Sequence, residues 1–177
     1  MVDDSKVLIF AYGSNMFSQR LRARVSTAIP VTIGYVQQRR FVLHKRSDDG
    51  SAKADAAFSA SSNDCVWGIV YQLQQSQKPF LDECEFLGIG YEEEAVDVVY
   101  ADGALCAWMY VARHNAIDAT LLPYSWYLNL VIAGACEHRL PDPYVNHLRS
   151  FASIVDPDAA RHKANQRLIG AWCESDG

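Results

Sequence analysis

The stretch Val7-Leu8-Ile9-Phe10-Ala11-Tyr12-Gly13-Ser14-Asn15-Met16 constrains the fold more than any other. Its first five residues are apolar, several of them β-branched or aromatic, and suit a strand buried on both faces. The run then breaks abruptly into Tyr12-Gly13-Ser14-Asn15. Gly13 permits positive φ or close backbone approach, and Ser14 and Asn15 favour turns or caps over strands. A loop of this kind at a strand end aims consecutive backbone N–H groups at one spot, forming an anion-binding nest. The plainer reading is a strand-to-helix turn in which Asn15 caps a helix beginning near Met16.

The remaining composition narrows the class. A chain of 177 residues has room for one domain with a sizeable core, and we expect a single domain over 1–177 without repeat or linker. A net charge of −5 argues against a general nucleic-acid binder. No apolar run approaches the length of a membrane span, and Asp3-Asp4 stands where a secretory signal would carry basic residues. Cysteines 65, 84, 106, 136 and 173 are odd in number and form no C-x-x-C pair. They read as reduced thiols of a cytoplasmic protein rather than as a zinc ribbon or disulfide framework.

Along the chain, the spacing predicts a short helix over Met16–Arg24 and then one bent strand, or two, over 28–46, broken near Gly34. Arg39-Arg40 and Lys45-Arg46 within it read as a solvated strand edge. A polar turn at Ser47–Lys53 precedes strands at Ala56–Ser61 and Val66–Leu73. Ser76 is placed to cap a helix running through Leu87, with Pro79 in its first turn. Tyr91–Tyr100 and Ala104–Ala112 pair as a hairpin across Asp102-Gly103, with Glu92-Glu93-Glu94 at its exposed start. Ser125–Cys136 and Tyr144–Phe151 read as helices, followed by a charged helix over Ala159–Ile169.

On a wheel of the helix after Ser76, Phe80, Leu81, Cys84, Leu87 and Gly88 share one side. Asp82 falls opposite, while Glu83 and Glu85 fall on the two borders of the stripe. A carboxylate on such a border, partly buried beside a pocket, is a candidate general base. Wheel geometry does not choose between Glu83 and Glu85, and solvated acids are the plainer reading. Cys84 reads as a buried thiol and Tyr127 as a core aromatic. There is no G-x-S-x-G elbow, no G-x-x-x-x-G-K loop and no H-E-x-x-H, so serine-hydrolase, nucleotide-binding and zincin signatures are absent.

Three pieces in this order resemble the gamma-glutamylcyclotransferase family, which includes gamma-glutamylamine cyclotransferases. They are Phe10–Met16; Val66–Tyr71 followed by Leu81-Asp82-Glu83-Cys84-Glu85 and Gly90-Tyr91; and Pro123–Tyr127 followed by Gly134-Ala135 and Leu140-Pro141. The resemblance extends to about Pro157. It implies an α+β fold, a small twisted mixed β-barrel with surrounding helices, and a tail from about 156 forming a peripheral helix. It also implies cyclisation of a γ-glutamyl amide to 5-oxoproline, in the cytoplasm and in the area of glutathione metabolism.

By this resemblance Glu85 is the catalytic acid/base, and Tyr12, Gly13, Ser14, Asn15 and Tyr127 bind substrate. No metal or organic cofactor is implied, the partner is a small γ-glutamyl substrate, and a homodimer is an admissible assembly. One departure stands out: the family usually has Gly after the catalytic Glu, and here Phe86 follows. Two other readings stay open. One is a non-catalytic module binding γ-glutamyl or similar ligands; the other is a cyclotransferase acting on a γ-glutamyl group of a larger biosynthetic intermediate.

Overall fold

The N-terminal apolar run becomes strand β1 (Lys6–Ala11) in the computed structural model, which describes residues 5–173. Val7, Ile9, Phe10 and Ala11 are all buried, as a strand covered on both faces requires. β1 pairs antiparallel with β5 (Cys65–Gln74), from Lys6↔Gln74 to Ala11↔Ile69. On its other side β5 pairs antiparallel with β2 (Ile29–Gln37), with an irregularity between Pro30 and Thr32. The expected hairpin forms from β6 (Tyr91–Tyr100) and β7 (Gly103–Ala112). β6 meets β2 at Tyr35↔Val99, and β7 runs parallel to β1 at Ile9↔Trp108. The sheet thereby closes into a barrel of order β1-β5-β2-β6-β7, and helices flank it in a mixed α+β architecture.

The segment 28–46 breaks at Gln38, not at Gly34. Gln38 takes a left-handed conformation (φ 56°) and turns the chain out of the barrel. The following strand β3 (Arg39–Arg46) pairs instead with β4 (Ala52–Phe58) as a separate two-stranded ribbon. This strand begins at Ala52, four residues before the expected start, so Lys53 belongs to it and not to the preceding turn. The ribbon is fastened to the barrel by Asp55, a buried carboxylate that accepts from Ala112 N at 2.8 Å. Nor is the basic edge solvated throughout. Arg39 pairs with Glu94, and Lys45 is 7% exposed.

After β1 the chain makes a 3-10 turn (Ser14–Met16) and then α1 (Ser18–Arg24). Asn15 caps neither, because it lies within the 3-10 turn and the N-cap positions fall on Gly13 and Phe17; its side chain is engaged elsewhere. α2 (Lys78–Cys84) ends three residues before the expected Leu87, and Ser76 makes no cap bond to it. Only Leu81 of the predicted stripe is fully buried; Phe80 is 60% exposed, and Cys84 is exposed where a buried thiol was expected. At the hairpin start, Glu92 is exposed but Glu93 pairs with Lys78.

α3 (Ser125–Glu137) is apolar nearly all round and has Leu130, Val131 and Ala135 fully buried. It presses on the 3-10 turn: a Cβ at Gly134 would stand 2.4 Å from Phe17 N. Its N-terminal turn is tied to the tail, where Trp126 Nε1 donates to buried Asp156 at 2.8 Å. Two hydrogen bonds from Arg161 hold the Asp156 carboxyl well below the usual carboxylate range. α4 (Asp142–Arg149) follows α3, and α5 (Ala159–Cys173) packs on α3, with Leu168 and Ile169 partly buried. Cys65, Cys84, Cys106 and Cys136 are free thiols; the Cys173 side chain lies outside the described residues. No helix among the described residues is long and apolar enough to cross a membrane.

Candidate active site

A cleft opens where β1 ends, and Tyr12, Gly13, Ser14, Asn15, Glu85 and Tyr127 all line it. The loop residues arrive there because the strand stops at Ala11 and α3 clamps the turn that follows. Gly13 has φ −104°, so positive φ is not what the position requires. Space is: a Cβ there would lie 3.2 Å from Ala54 Cβ and 3.3 Å from the Tyr127 hydroxyl. Ser14 and Asn15 open the 3-10 turn, where N–H groups have no acceptor within the helix.

Glu85 reaches the cleft through the way α2 stops. Phe86 N donates to Glu83 O at 3.1 Å and Leu87 N to Asp82 O at 2.9 Å. This pair of bonds is a Schellman closure, which needs a left-handed residue directly after the cap. Glu85 is that cap, with φ −90° and ψ 0°, and Phe86 is the left-handed residue, at φ 53°. Glycine fits such a position without strain, whereas a residue with a Cβ is disfavoured there. A glycine would fill this position without strain, and Phe86 holds the same geometry against strain.

The carboxylate is fixed on one side only. Asn15 Nδ2 donates to Glu85 Oε1 at 2.9 Å, and the Arg24 guanidinium to the same oxygen at 2.5 Å. Arg24 also bonds Asn15 Oδ1 at 3.1 Å, closing a three-membered network. Oε2 has no protein partner among the described residues. Asn15 is thus a neighbour of the carboxylate as well as part of the loop. The sequence reading missed Arg24, and no local pattern around it could have revealed its role.

Tyrosine rings build the walls. Tyr12 donates its hydroxyl to Tyr110 O at 2.5 Å, Tyr91 to Ala54 O at 2.6 Å, and Ala54 N donates to the Tyr127 hydroxyl at 3.0 Å. Burial pushes the phenols of Tyr12, Tyr91 and Tyr127 above their ordinary range, so they stay neutral walls rather than bases. Tyr127 is both a core aromatic and a cleft wall. Asp82 does not face away from this region: it accepts from the Tyr110 hydroxyl at 2.6 Å, and Tyr110 lines the cleft.

Two curated relatives span nearly the whole chain. A Bos taurus protein named gamma-glutamylcyclotransferase is 25% identical over 174 residues, covering 94% of this chain and 87% of the relative. Its Homo sapiens namesake is 26% identical over 172 residues with the same coverage. A solved structure described as gamma-glutamyl cyclotransferase superposes with a TM-score of 0.82 at 22% identity, covering 94% of this chain and 99% of that one.

The chain is gamma-glutamylcyclotransferase-like in sequence and in fold. Gamma-glutamylcyclotransferase is the enzyme class that the curated relatives support, and the fold agrees with it. Residues 65–148 also match the AIG2-like family. In this gamma-glutamylcyclotransferase-like chain that match spans β5 to α4, including Glu85 and Tyr127, while the Tyr12–Asn15 loop lies before it.

Proposed function

We propose that the protein cyclises a γ-glutamyl amide to 5-oxoproline and releases the amine, with Glu85 as general acid/base. The observation that carries this reading is a carboxylate anchored through one oxygen, at the mouth of a tyrosine-walled cleft and beside a loop with N–H groups to offer. A γ-glutamyl amide contains its own nucleophile. Folding it so that the α-amine meets the γ-carbonyl makes the attack intramolecular and removes several kcal/mol of barrier.

Oε2 of Glu85 accepts the proton that the α-ammonium must lose. The nitrogen closes on the carbonyl carbon, and the carbonyl oxygen gains negative charge. N–H groups of Gly13, Ser14 and Asn15 are suited to hold the substrate carboxylate or that oxygen. The proton held by Glu85 then passes to the departing amine as the C–N bond breaks. The ring nitrogen gives its second proton to the carboxylate so freed, which leaves a neutral lactam, and Glu85 passes that proton on to the released amine. Neutral tyrosine walls exclude water, which favours ring closure over hydrolysis.

The test is a panel of γ-glutamyl amino acids, the γ-glutamyl-lysine isopeptide and glutathione, followed by release of 5-oxoproline. The expected result is 5-oxoproline, in equimolar amount with the free amine, from at least one member. Free glutamate as the product would overturn the cyclisation. Binding without any product would leave the protein a γ-glutamyl-binding module.

A further inference from the structure

Beyond Glu85 the cleft widens into an outer chamber, and its charges are unbalanced. Arg20, Arg24, Lys45 and Lys53 line it, against two acids, Asp49 and Glu85. Two of the cations are matched: Arg24 to Glu85 at 2.5 Å and Lys53 to Asp49 at 2.7 Å. Arg20 and Lys45 have no carboxylate within ion-pair distance among the described residues. Arg20 donates through Nε to Ser14 Oγ at 3.1 Å, leaving the ends of its guanidinium for a ligand. Lys45 is 7% exposed, and its ammonium lies 4.9 Å from the Tyr91 ring centroid and 5.9 Å from that of Phe86.

A buried cation without a counter-charge is costly, and an arriving anion offsets that cost. Burial lowers Lys45 below the ordinary lysine range, against the opposing but more distant pull of Glu85, Asp48 and Asp49, none of which pairs with it directly. Burial, reinforced by neighbouring Arg24, brings Arg20 down to about 10. Phe86 adds a second observation, because it keeps the left-handed position that glycine would fill without strain and sets its ring beside the Lys45 ammonium. Strained residues of this kind persist where the surroundings hold them, commonly at ligand sites.

We propose that the leaving amine is a dicarboxylic amino acid whose two carboxylates are taken by Lys45 and Arg20. This rests on the reading given under Proposed function, in which the γ-glutamyl head occupies the inner cleft with its α-ammonium at Glu85; of the two roles named there for the loop N–H groups, the proposal takes the holding of the head's carboxylate. The head is then neutralised within the inner cleft, and the two unmatched cations face the departing half. A leaving amino acid with a neutral side chain satisfies one of them. A leaving group such as aspartate or glutamate satisfies both.

The experiment compares γ-glutamyl-glutamate with its isostere γ-glutamyl-glutamine, which differs in one charge. The parent should show a kcat/KM ratio of about tenfold or more in favour of the dianionic leaving group, as expected for one additional charged hydrogen bond. Lys45→Gln and Arg20→Gln should each bring that ratio towards one. Lys45→Met, which keeps the apolar stem, should do the same and guards against a merely misfolded variant. Glutaryl-glutamate and glutaryl-glutamine lack the attacking amine, so their binding, measured by calorimetry, reads the same preference without turnover. If the dianionic analogue binds tighter but no 5-oxoproline ever forms, the proposed function fails while the anion site stands. Equal binding and equal turnover of each pair would overturn the proposal. It would also be overturned if Arg20→Gln depressed both substrates equally, since Arg20 would then serve the γ-glutamyl head.

Discussion

Asn15 and Glu85 are 70 residues apart in sequence, yet the Asn15 amide donates to the Glu85 carboxylate at 2.9 Å. One comes from the turn after β1 and the other from the cap that ends α2. The contact joins the loop to the candidate base, and Arg24 locks both. Substrate recognition and proton transfer would therefore be linked by one small polar network.

Glu85→Gln keeps the side-chain volume and the contacts on Oε1 but cannot accept the α-amine's proton. Turnover should fall by roughly two to four powers of ten, with a much smaller change in ligand affinity. Glu83→Gln is the control, since Glu83 is exposed. Asp82→Asn is unsuitable as a silent control because Asp82 holds the Tyr110 hydroxyl. Measuring 5-oxoproline release beside ligand binding separates these outcomes, and normal turnover by Glu85→Gln would remove Glu85 from the mechanism.

Arg24→Gln should lower kcat without an equal rise in KM. Its role is to hold the carboxylate in place, and misplacement of a reacting group by about an ångström costs on the order of a hundredfold. Asn15→Leu should act in the same direction, and the double variant should cost less than the sum of the two in free energy, because both grip one oxygen. Strict additivity would show that the residues act separately.

Phe86 carries a test of backbone strain. Phe86→Gly relieves a left-handed conformation that costs a non-glycine residue about 1–2 kcal/mol, and it removes a ring already half exposed. It should leave the urea midpoint unchanged or raised. Phe86→Val puts a β-branched residue in the same position and should destabilise by about 1 kcal/mol or more. The reverse order would show that ring packing outweighs backbone geometry.

His138 lies in a buried cluster, with Nε2 2.8 Å from the Tyr71 hydroxyl and 3.1 Å from Ser18 Oγ. Burial lowers its pKa below the ordinary histidine value, against the opposing pull of the Glu137 carboxylate. As pH falls through about 6.5, the unfolded chain binds a proton at this residue that the folded chain refuses. The unfolded state then carries more protons, so stability decreases with falling pH in that window. The urea midpoint should drop between about pH 7.5 and pH 5.5. The drop should be smaller in His138→Gln; an unchanged drop would assign it to other groups.

The sequence by itself determined β1, the β6–β7 hairpin and the long helix α3, because their signals are local. The apolar run of β1, the Asp102-Gly103 hairpin turn and the apolar stretch of α3 all formed near their expected bounds. The break in the cleft loop was legible for the same reason. The register of the barrel and the ion pairs of the site depend on residues far apart in the chain. Gln38 rather than Gly34 ends β2 because hydrogen bonds from Gln38 N to Asp64 O and from Ser59 N to Gln38 O hold it in a left-handed turn. A helical wheel could not choose between Glu83 and Glu85, because α2 stops at Cys84 and Glu85 belongs to the cap. Lys45 reads as a surface charge in sequence, yet the ribbon buries it beside Tyr91 and Phe86. Local propensity shapes elements one at a time; only their packing decides which side chains share a cleft and which charges lose their water.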